Sequence, residues 1–121
     1  MDIYAQNILD HYKNPRNRGV LKNAETSFKS TNASCGDEIT VYLKLDDDRI
    51  EKISFDGHGC VIALAAASIL SETLIDKEIT DILKMDLSDV QAQLGIEISN
   101  RRSKCALIAL RSIQGALKEL D

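Results

Sequence analysis

The sequence predicts an α+β fold, with a three-stranded antiparallel sheet in the N-terminal half packed against a helical C-terminal half. Residues 39–45 alternate apolar and polar side chains, and a polar turn at 46–49 leads into a second strand at 50–55. Period-two alternation on both sides of a tight turn is typical of a β-hairpin. The chain after Gly59 has helical character, and strands followed by helices without alternation indicate an α+β fold.

The remaining elements follow from spacing and from helix-stop residues. A short amphipathic helix is predicted at 2–13, where Tyr4, Ile8 and Tyr12 recur every four residues. Ile3 and Leu9 widen this apolar stripe. Pro15 disfavours helix before it, so residues 14–17 form an exit loop. A weaker strand candidate covers 28–33. The C-terminal helices are expected at 61–73, 79–85, 87–94 and 103–120.

Size and charge narrow the functional classes. The chain has 121 residues, which suits one domain spanning 1–121. A net charge of −4 argues against a nucleic-acid partner, which would favour a strongly basic domain. No apolar run is long enough for a membrane span, and the N-terminus lacks the pattern of a signal peptide. We therefore expect a cytoplasmic protein without a membrane partner.

Three cysteines lie in polar or glycine-rich settings. Cys35 lies in a predicted turn before the first firm strand, Cys60 at the start of a predicted helix, and Cys105 in the first turn of the last helix, next to Lys104. Thiolates bind zinc, Cu(I) and iron–sulfur clusters. A shared metal or sulfur site is the favoured interpretation, and three unrelated buried thiols are the alternative.

The predicted hairpin brings two of these thiols together. Cys35 enters one strand and Cys60 leaves its antiparallel partner, so both lie at the same end of the sheet, whereas no pattern places Cys105. Asp37 shares a face with Cys35 if the segment is extended, so it is either an oxygen ligand or an Asx-turn residue. His58 is either a zinc ligand or a solvated turn residue.

Five stretches of the sequence carry a family resemblance. They are residues 10–17 with Gly19, the Cys35-Gly36-Asp37 triplet, residues 55–60, the alanine- and serine-rich segment 61–72, and residues 101–107. In these stretches the chain resembles the U-type iron–sulfur cluster scaffold family, which includes IscU, the N-terminal domain of NifU, and SufU. The stretches span nearly the whole chain in the family's order.

The resemblance implies a single NifU-like N-terminal (IscU-type) domain over 1–121 with an exposed site at one end. Cys35, Cys60 and Cys105 would bind a transient cluster, most simply [2Fe–2S], and Asp37 would keep that cluster labile and could ligate zinc. A cysteine desulfurase would supply sulfur, and apoproteins would receive the cluster. Lys104 beside Cys105 adds positive charge that favours a thiolate or persulfide, which makes Cys105 the candidate persulfide acceptor. The chain would then be a scaffold and not an enzyme.

Two departures from the family pattern keep alternatives open. Lys104 stands where IscU proteins have a histidine before the third cysteine, and the motif that a dedicated chaperone reads is absent. Cys60 and Cys105 are 45 residues apart, close to the IscU interval and without the insertion of SufU. The fourth ligand would be Asp37, a partner's thiolate or His58. The alternative functions are a SufU-like, zinc-dependent sulfurtransferase and a structural zinc module.

Overall fold

The α+β prediction is confirmed. The computed structural model describes residues 3–33 and 36–120. None of the helices in these two ranges combines the length and the apolar character needed to cross a membrane. The elements, in chain order, are α1 Ile3–Lys13, β1 Thr26–Asn32, β2 Asp37–Asp46, β3 Arg49–His58, α2 Val61–Thr73, α3 Ile79–Leu83, α4 Leu87–Leu94, a 3-10 turn Asn100–Arg102 and α5 Ser103–Lys118.

The sheet is antiparallel with the strand order β1-β2-β3, and its register decides which residues meet at one end. Asn32, the last residue of β1, pairs with Asp37, the first of β2. The next residue, Glu38, pairs with His58 at the end of β3. Since Cys60 follows His58 closely, the end of β1, the start of β2 and the segment leading into α2 converge.

Helix α2 is the central helix of the fold. Ten consecutive residues, from Ile62 to Ser71, are buried in it. Most helices expose one face, so this pattern requires neighbours on every side. Helix α1, strand β3 and helix α5 supply them. The small side chains of 65–68 allow these neighbours to approach closely.

Helix α5 lies across β1 and β2. The Ser112 hydroxyl donates a hydrogen bond to the Ile39 carbonyl at 3.2 Å, which fixes the helix against β2. Gly115 leaves room for the Phe28 ring, because a Cβ there would lie 2.7 Å from that ring. This packing brings the N-terminal turn of α5 to the end of the sheet where the three strands converge.

The first helix packs differently from the prediction. Ile3 and Tyr12, two residues of the expected apolar stripe, are 72% and 37% exposed, whereas Ile8 and His11 are buried. His11 is buried because it forms a hydrogen bond with a serine of α2: the Ser68 Oγ lies 2.7 Å from His11 Nδ1. A histidine thus occupies a position at the interface that the sequence pattern assigned to apolar residues.

Several boundaries also differ from prediction. β1 begins two residues earlier than expected, at Thr26, and its polar residues are held by pairing with β2. The third helix ends at Leu83 and the last at Lys118, and the 3-10 turn before α5 was not predicted. The ranges of α2 and α4 agree with the prediction.

Candidate metal and sulfur site

A cluster of potential ligands lies where the three strands meet the helices. One carboxylate oxygen of Asp37 and the Sγ atoms of Cys60 and Cys105 all lie within 4.8 Å of one another. Two thiols and a carboxylate are ligands that zinc accepts, and thiolates also hold iron–sulfur clusters. The hairpin argument from the sequence concerned Cys35 and Cys60, and it stays a prediction because Cys35 lies outside the described residues. The structure places Asp37 and Cys105, which no sequence pattern could place, beside Cys60.

The β2–β3 hairpin holds Asp37 and Cys60 in a fixed relation. The Cys60 N–H donates a hydrogen bond to Asp37 Oδ1 at 2.9 Å. Two glycines make this approach possible. Gly57 has a φ of +136°, and a Cβ there would overlap the Glu38 carbonyl oxygen. At Gly59 a Cβ would lie 2.7 Å from Asp37 Oδ1, so the carboxylate can reach Cys60 only if residue 59 has no side chain.

The second carboxylate oxygen of Asp37 has the properties of a metal ligand. Asp37 is 2% exposed, and its Oδ2 is buried without a hydrogen-bond partner. Buried carboxylate oxygens normally accept hydrogen bonds, because an unsatisfied one carries its full desolvation cost. A buried carboxylate with an unsatisfied oxygen, in a cluster with two thiols, fits a bound cation. The donor set therefore fits either zinc or a thiolate-bound cluster.

Cys105 reaches the site from the first turn of α5. It is 2% exposed, and the Asn32 Nδ2 donates to its Sγ at 3.9 Å. Cys60 occupies the N-cap position of α2, where its side chain makes no capping hydrogen bond. Two helix N-termini therefore converge on the site, and their free N–H groups present positive partial charge to it. The exposed Lys104 adds a positive charge beside them.

The other expected site residues have different outcomes. Cys35 lies outside the described residues, so its place relative to the site stays a prediction. His58 is exposed and is not a member of the cluster that Asp37, Cys60 and Cys105 form. Asn32 was missed by the sequence analysis, although its inward position in the alternating 28–32 segment was the available signal. The site is also more enclosed than expected, because Asp37 and Cys105 are both buried.

A polar network connects the loop after α1 to the helix that begins at the site. Ser68 Oγ accepts a hydrogen bond from the Arg16 N–H at 2.8 Å, so we assign its hydroxyl proton to the bond with His11 Nδ1. Burial, together with the charge of Arg16, keeps the pKa of His11 below its ordinary value against the opposing effect of Glu72. The neutral ring is therefore the form that the interface accepts.

Comparisons with known proteins identify the family of the chain. The family model described as "NifU-like N terminal domain" matches residues 3–121. The chain belongs to this family. It is 36% identical to the zinc-dependent sulfurtransferase SufU of Bacillus subtilis, over 97% of this chain and 91% of that protein. It is 31% identical to the iron–sulfur cluster assembly scaffold protein IscU of Thermotoga maritima, over 98% and 95% of the two chains.

A solved structure shows the same fold. The crystal structure of a scaffold protein described as belonging to the SUF system of Fervidobacterium islandicum superposes with a TM-score of 0.76 at 27% identity. The match covers 97% of this chain and 96% of that one. Members of this family thus include proteins named as scaffolds and one named as a sulfurtransferase. The resemblance stated from the sequence is confirmed.

Proposed function

We propose that this protein is an iron–sulfur cluster assembly scaffold, working as one domain, that accepts sulfur from a cysteine desulfurase and transfers the assembled cluster to apoproteins. The observation that carries the proposal is the buried Asp37 carboxylate, which has an oxygen within 4.8 Å of the sulfur atoms of Cys60 and Cys105 and an Oδ2 without a hydrogen-bond partner. We propose Cys35 as the third thiolate ligand. The cluster is cargo here, and [2Fe–2S] is the form that three thiolates and one oxygen would hold.

Each ligand has a distinct proposed role. Asp37 begins β2, and Cys60 follows β3 as the N-cap of α2; a hydrogen bond joins the two residues, so they form the fixed side of the site. Cys105 comes from a helix 45 residues further along the chain. Asp37 supplies a hard oxygen ligand, which binds iron less tightly than a thiolate does. A weaker fourth ligand favours release of the cluster to an acceptor.

We propose Cys105 as the persulfide acceptor. Its thiolate would attack the terminal sulfur of the desulfurase's cysteine persulfide, the sulfur–sulfur bond would break, and the desulfurase cysteine would leave as a thiolate. Lys104 and the N-terminal turn of α5 favour the anionic form that this attack needs. Because Cys105 is 2% exposed, the first turn of α5 must move before the persulfide reaches it. Ile3, Tyr12 and Val20 are exposed apolar residues in the first twenty residues of the chain, and we propose that they contact the desulfurase.

The test is reconstitution of the anaerobically purified protein. Ferrous iron, cysteine, a cysteine desulfurase and dithiothreitol are added, and the thiol supplies the electrons that reduce persulfide sulfur to sulfide. The proposal expects a charge-transfer absorption in the visible range that is lost when an apo-acceptor is added. No cluster absorption, together with tightly bound zinc and faster desulfurase turnover, would contradict it.

Two variants test the ligand roles. Asp37→Ala should give a longer-lived cluster that transfers more slowly, and Asp46→Ala is its matched control, because Asp46 is exposed at the other end of β2. Cys105→Ser should abolish sulfur acceptance. If the Cys105→Ser protein acquires persulfide from the desulfurase at the normal rate, Cys105 is not the acceptor.

A second candidate function is zinc-dependent sulfur transfer. It is favoured by the 36% identity to a protein named for that activity and by Lys104 directly before Cys105. Zinc would be held by Asp37 and the thiolates and would supply a positive charge that stabilises them. The same residues serve both functions. Asp37→Ala then distinguishes them, because it should prolong cluster lifetime in a scaffold and weaken zinc binding in a sulfurtransferase.

A further inference from the structure

The two edges of the sheet differ in how they are covered. On the outer edge of β3, the Phe55 N–H donates to the Asn17 carbonyl at 3.1 Å and the Gly19 N–H donates to the Phe55 carbonyl at 2.7 Å. The outer edge of β1 has no backbone partner among residues 3–33 and 36–120. Unpaired N–H and C=O groups along an edge are a template for another strand.

A cleft follows this open edge. It has a volume of about 490 Å³ and lies between β1 and α5, with Phe28 and Ile108 as its apolar lining. A second hollow of about 400 Å³ continues along the same strand and shares Phe28, Ser30 and Arg111 with the first. Together the two hollows run alongside most of β1. Their shape suits an extended chain better than a compact ligand.

The cleft carries positive charge. Lys29 from β1 and Lys104 and Arg111 from α5 line it, and no acidic side chain does. Lys29 is paired with Glu38 at 3.1 Å, but in the described part of the chain Lys104 and Arg111 have no acidic group within ion-pair distance. Two cations are therefore available in a protein whose net charge is −4.

The cleft ends next to the candidate site. Asn32, which donates to the Cys105 sulfur, and Lys104, which precedes Cys105, both line it. A chain lying in the cleft would therefore have one end beside the thiol. A protein that delivers sulfur to this site or takes cargo from it would gain both affinity and orientation from such a contact.

We propose that the edge of β1 binds an extended, acidic segment of a partner protein. The segment adds to the sheet as a fourth strand and places its carboxylates against Lys104 and Arg111. A second copy of this chain is a poor occupant, because pairing two β1 edges would bring two cationic clefts together. The proposal goes beyond the assembly function and does not depend on which metal the site holds.

An acidic model peptide tests the proposal on the full-length, metal-free protein. The probe is a short fluorescein-labelled peptide that alternates glutamate with valine and threonine, and its binding is followed by fluorescence anisotropy at physiological salt. A peptide of the same charge with two central prolines is the first control, since it cannot add as a strand. Hydrogen exchange of the amides in 26–32 reports whether β1 is paired.

Charge reversal in the cleft is the second arm. Two exposed cations are reversed in Lys104→Glu/Arg111→Glu, so we expect the fold to survive. Affinity should fall about tenfold or more, because two attractive pairs become repulsive. The matched control is Lys22→Glu/Lys84→Glu, which makes the same change in net charge at exposed positions outside the cleft.

Three outcomes would overturn the proposal. One is equal binding of the proline peptide, which would mean charge attraction without strand pairing. Another is an equal loss of affinity in both double variants. The third is concentration-dependent protection of 26–32 without peptide, which would make a second copy the occupant. Selective loss in the cleft variant, with protection of 26–32 only by the strand-forming peptide, supports it.

Discussion

The Asp37→Asn substitution should stabilise the metal-free protein and weaken its metal binding, two effects of opposite sign at one side chain. Asp37 Oδ1 accepts a hydrogen bond from the Cys60 N–H, whereas Oδ2 is buried without a partner. An asparagine keeps an oxygen for the first contact and removes a desolvated charge from the second position. In the metal-bound protein the same change removes an anionic ligand.

The structure sets the size of both effects. A buried polar group without a partner costs about 1–3 kcal/mol, and a charged one costs more. Asparagine removes the charge but leaves a buried amide NH2 without a partner at the position of Oδ2, so only the difference between the two costs is gained. We therefore expect the metal-free variant to be about 1 kcal/mol more stable than the parent. Loss of a group that only orients a metal ligand weakens affinity about 10–100-fold, so loss of the ligand itself should weaken zinc binding at least ~100-fold.

Two measurements check this prediction. Urea unfolding with a chelator present gives the stability of the metal-free protein, and competition with a chromophoric chelator gives the zinc affinity. Asp46→Asn is the matched control, because Asp46 lies exposed at the other end of β2. The reasoning is refuted if Asp37→Asn destabilises the metal-free protein, if zinc affinity is unchanged, or if the Asp46 control shows the same changes.

Three further predictions concern stability. Gly57→Ala should lower the free energy of unfolding in urea by about 3 kcal/mol or more, and Gly19→Ala should lower it clearly less. Both glycines have a φ near +135°, but only a Cβ at Gly57 would overlap backbone atoms. Equal losses in the two variants would contradict this. The pKa of His11 in the folded protein is lowered from 6.5, so the free energy of unfolding should reach its maximum contribution from His11 above pH 6.5 and decrease as the pH falls below it. The dependence of the unfolding free energy on pH in this range should be weaker in His11→Gln. Ser68→Ala should cost about 2–3 kcal/mol, because it leaves the buried His11 Nδ1 and the partly buried Arg16 N–H without their partner. A loss under about 0.5 kcal/mol would argue against the network.

The hairpin half of the site was predictable because strand pairing is a local rule. Alternation in 39–45 and the polar turn at 46–49 predict the hairpin, although β2 begins two residues before 39 and β3 ends three residues after 55. Antiparallel geometry then places the start of the first hairpin strand at the same end of the sheet as Cys60, without knowledge of the rest of the fold. Asp37 lies at that start. The range of α2 was equally local, because the segment starts after Gly59 and keeps its apolar, small-residue character throughout.

The position of Cys105 was not predictable in the same way. It depends on how α5 lies across the sheet, and that is decided by contacts such as Ser112 with Ile39 and Gly115 with Phe28, which join residues far apart in sequence. The prediction of which face of α1 is buried failed for a related reason. A periodic stripe identifies a helix, but Ser68, whose hydroxyl donates to His11 Nδ1, belongs to another element.

Helix α2, which begins after Cys60, and the first turn of α5, which carries Cys105, lie on two sides of the site and differ in burial. Helix α2 contains ten consecutive buried residues, and the Cys60 N–H is hydrogen-bonded to Asp37, so this side opens only when much of the core opens. The first turn of α5 follows an exposed 3-10 turn, Asn100–Arg102, which has no buried residue. Local opening is cheapest where burial is least. The cluster would therefore leave by local opening of the first turn of α5, while Asp37 and Cys60 stay in place to bind the next cluster.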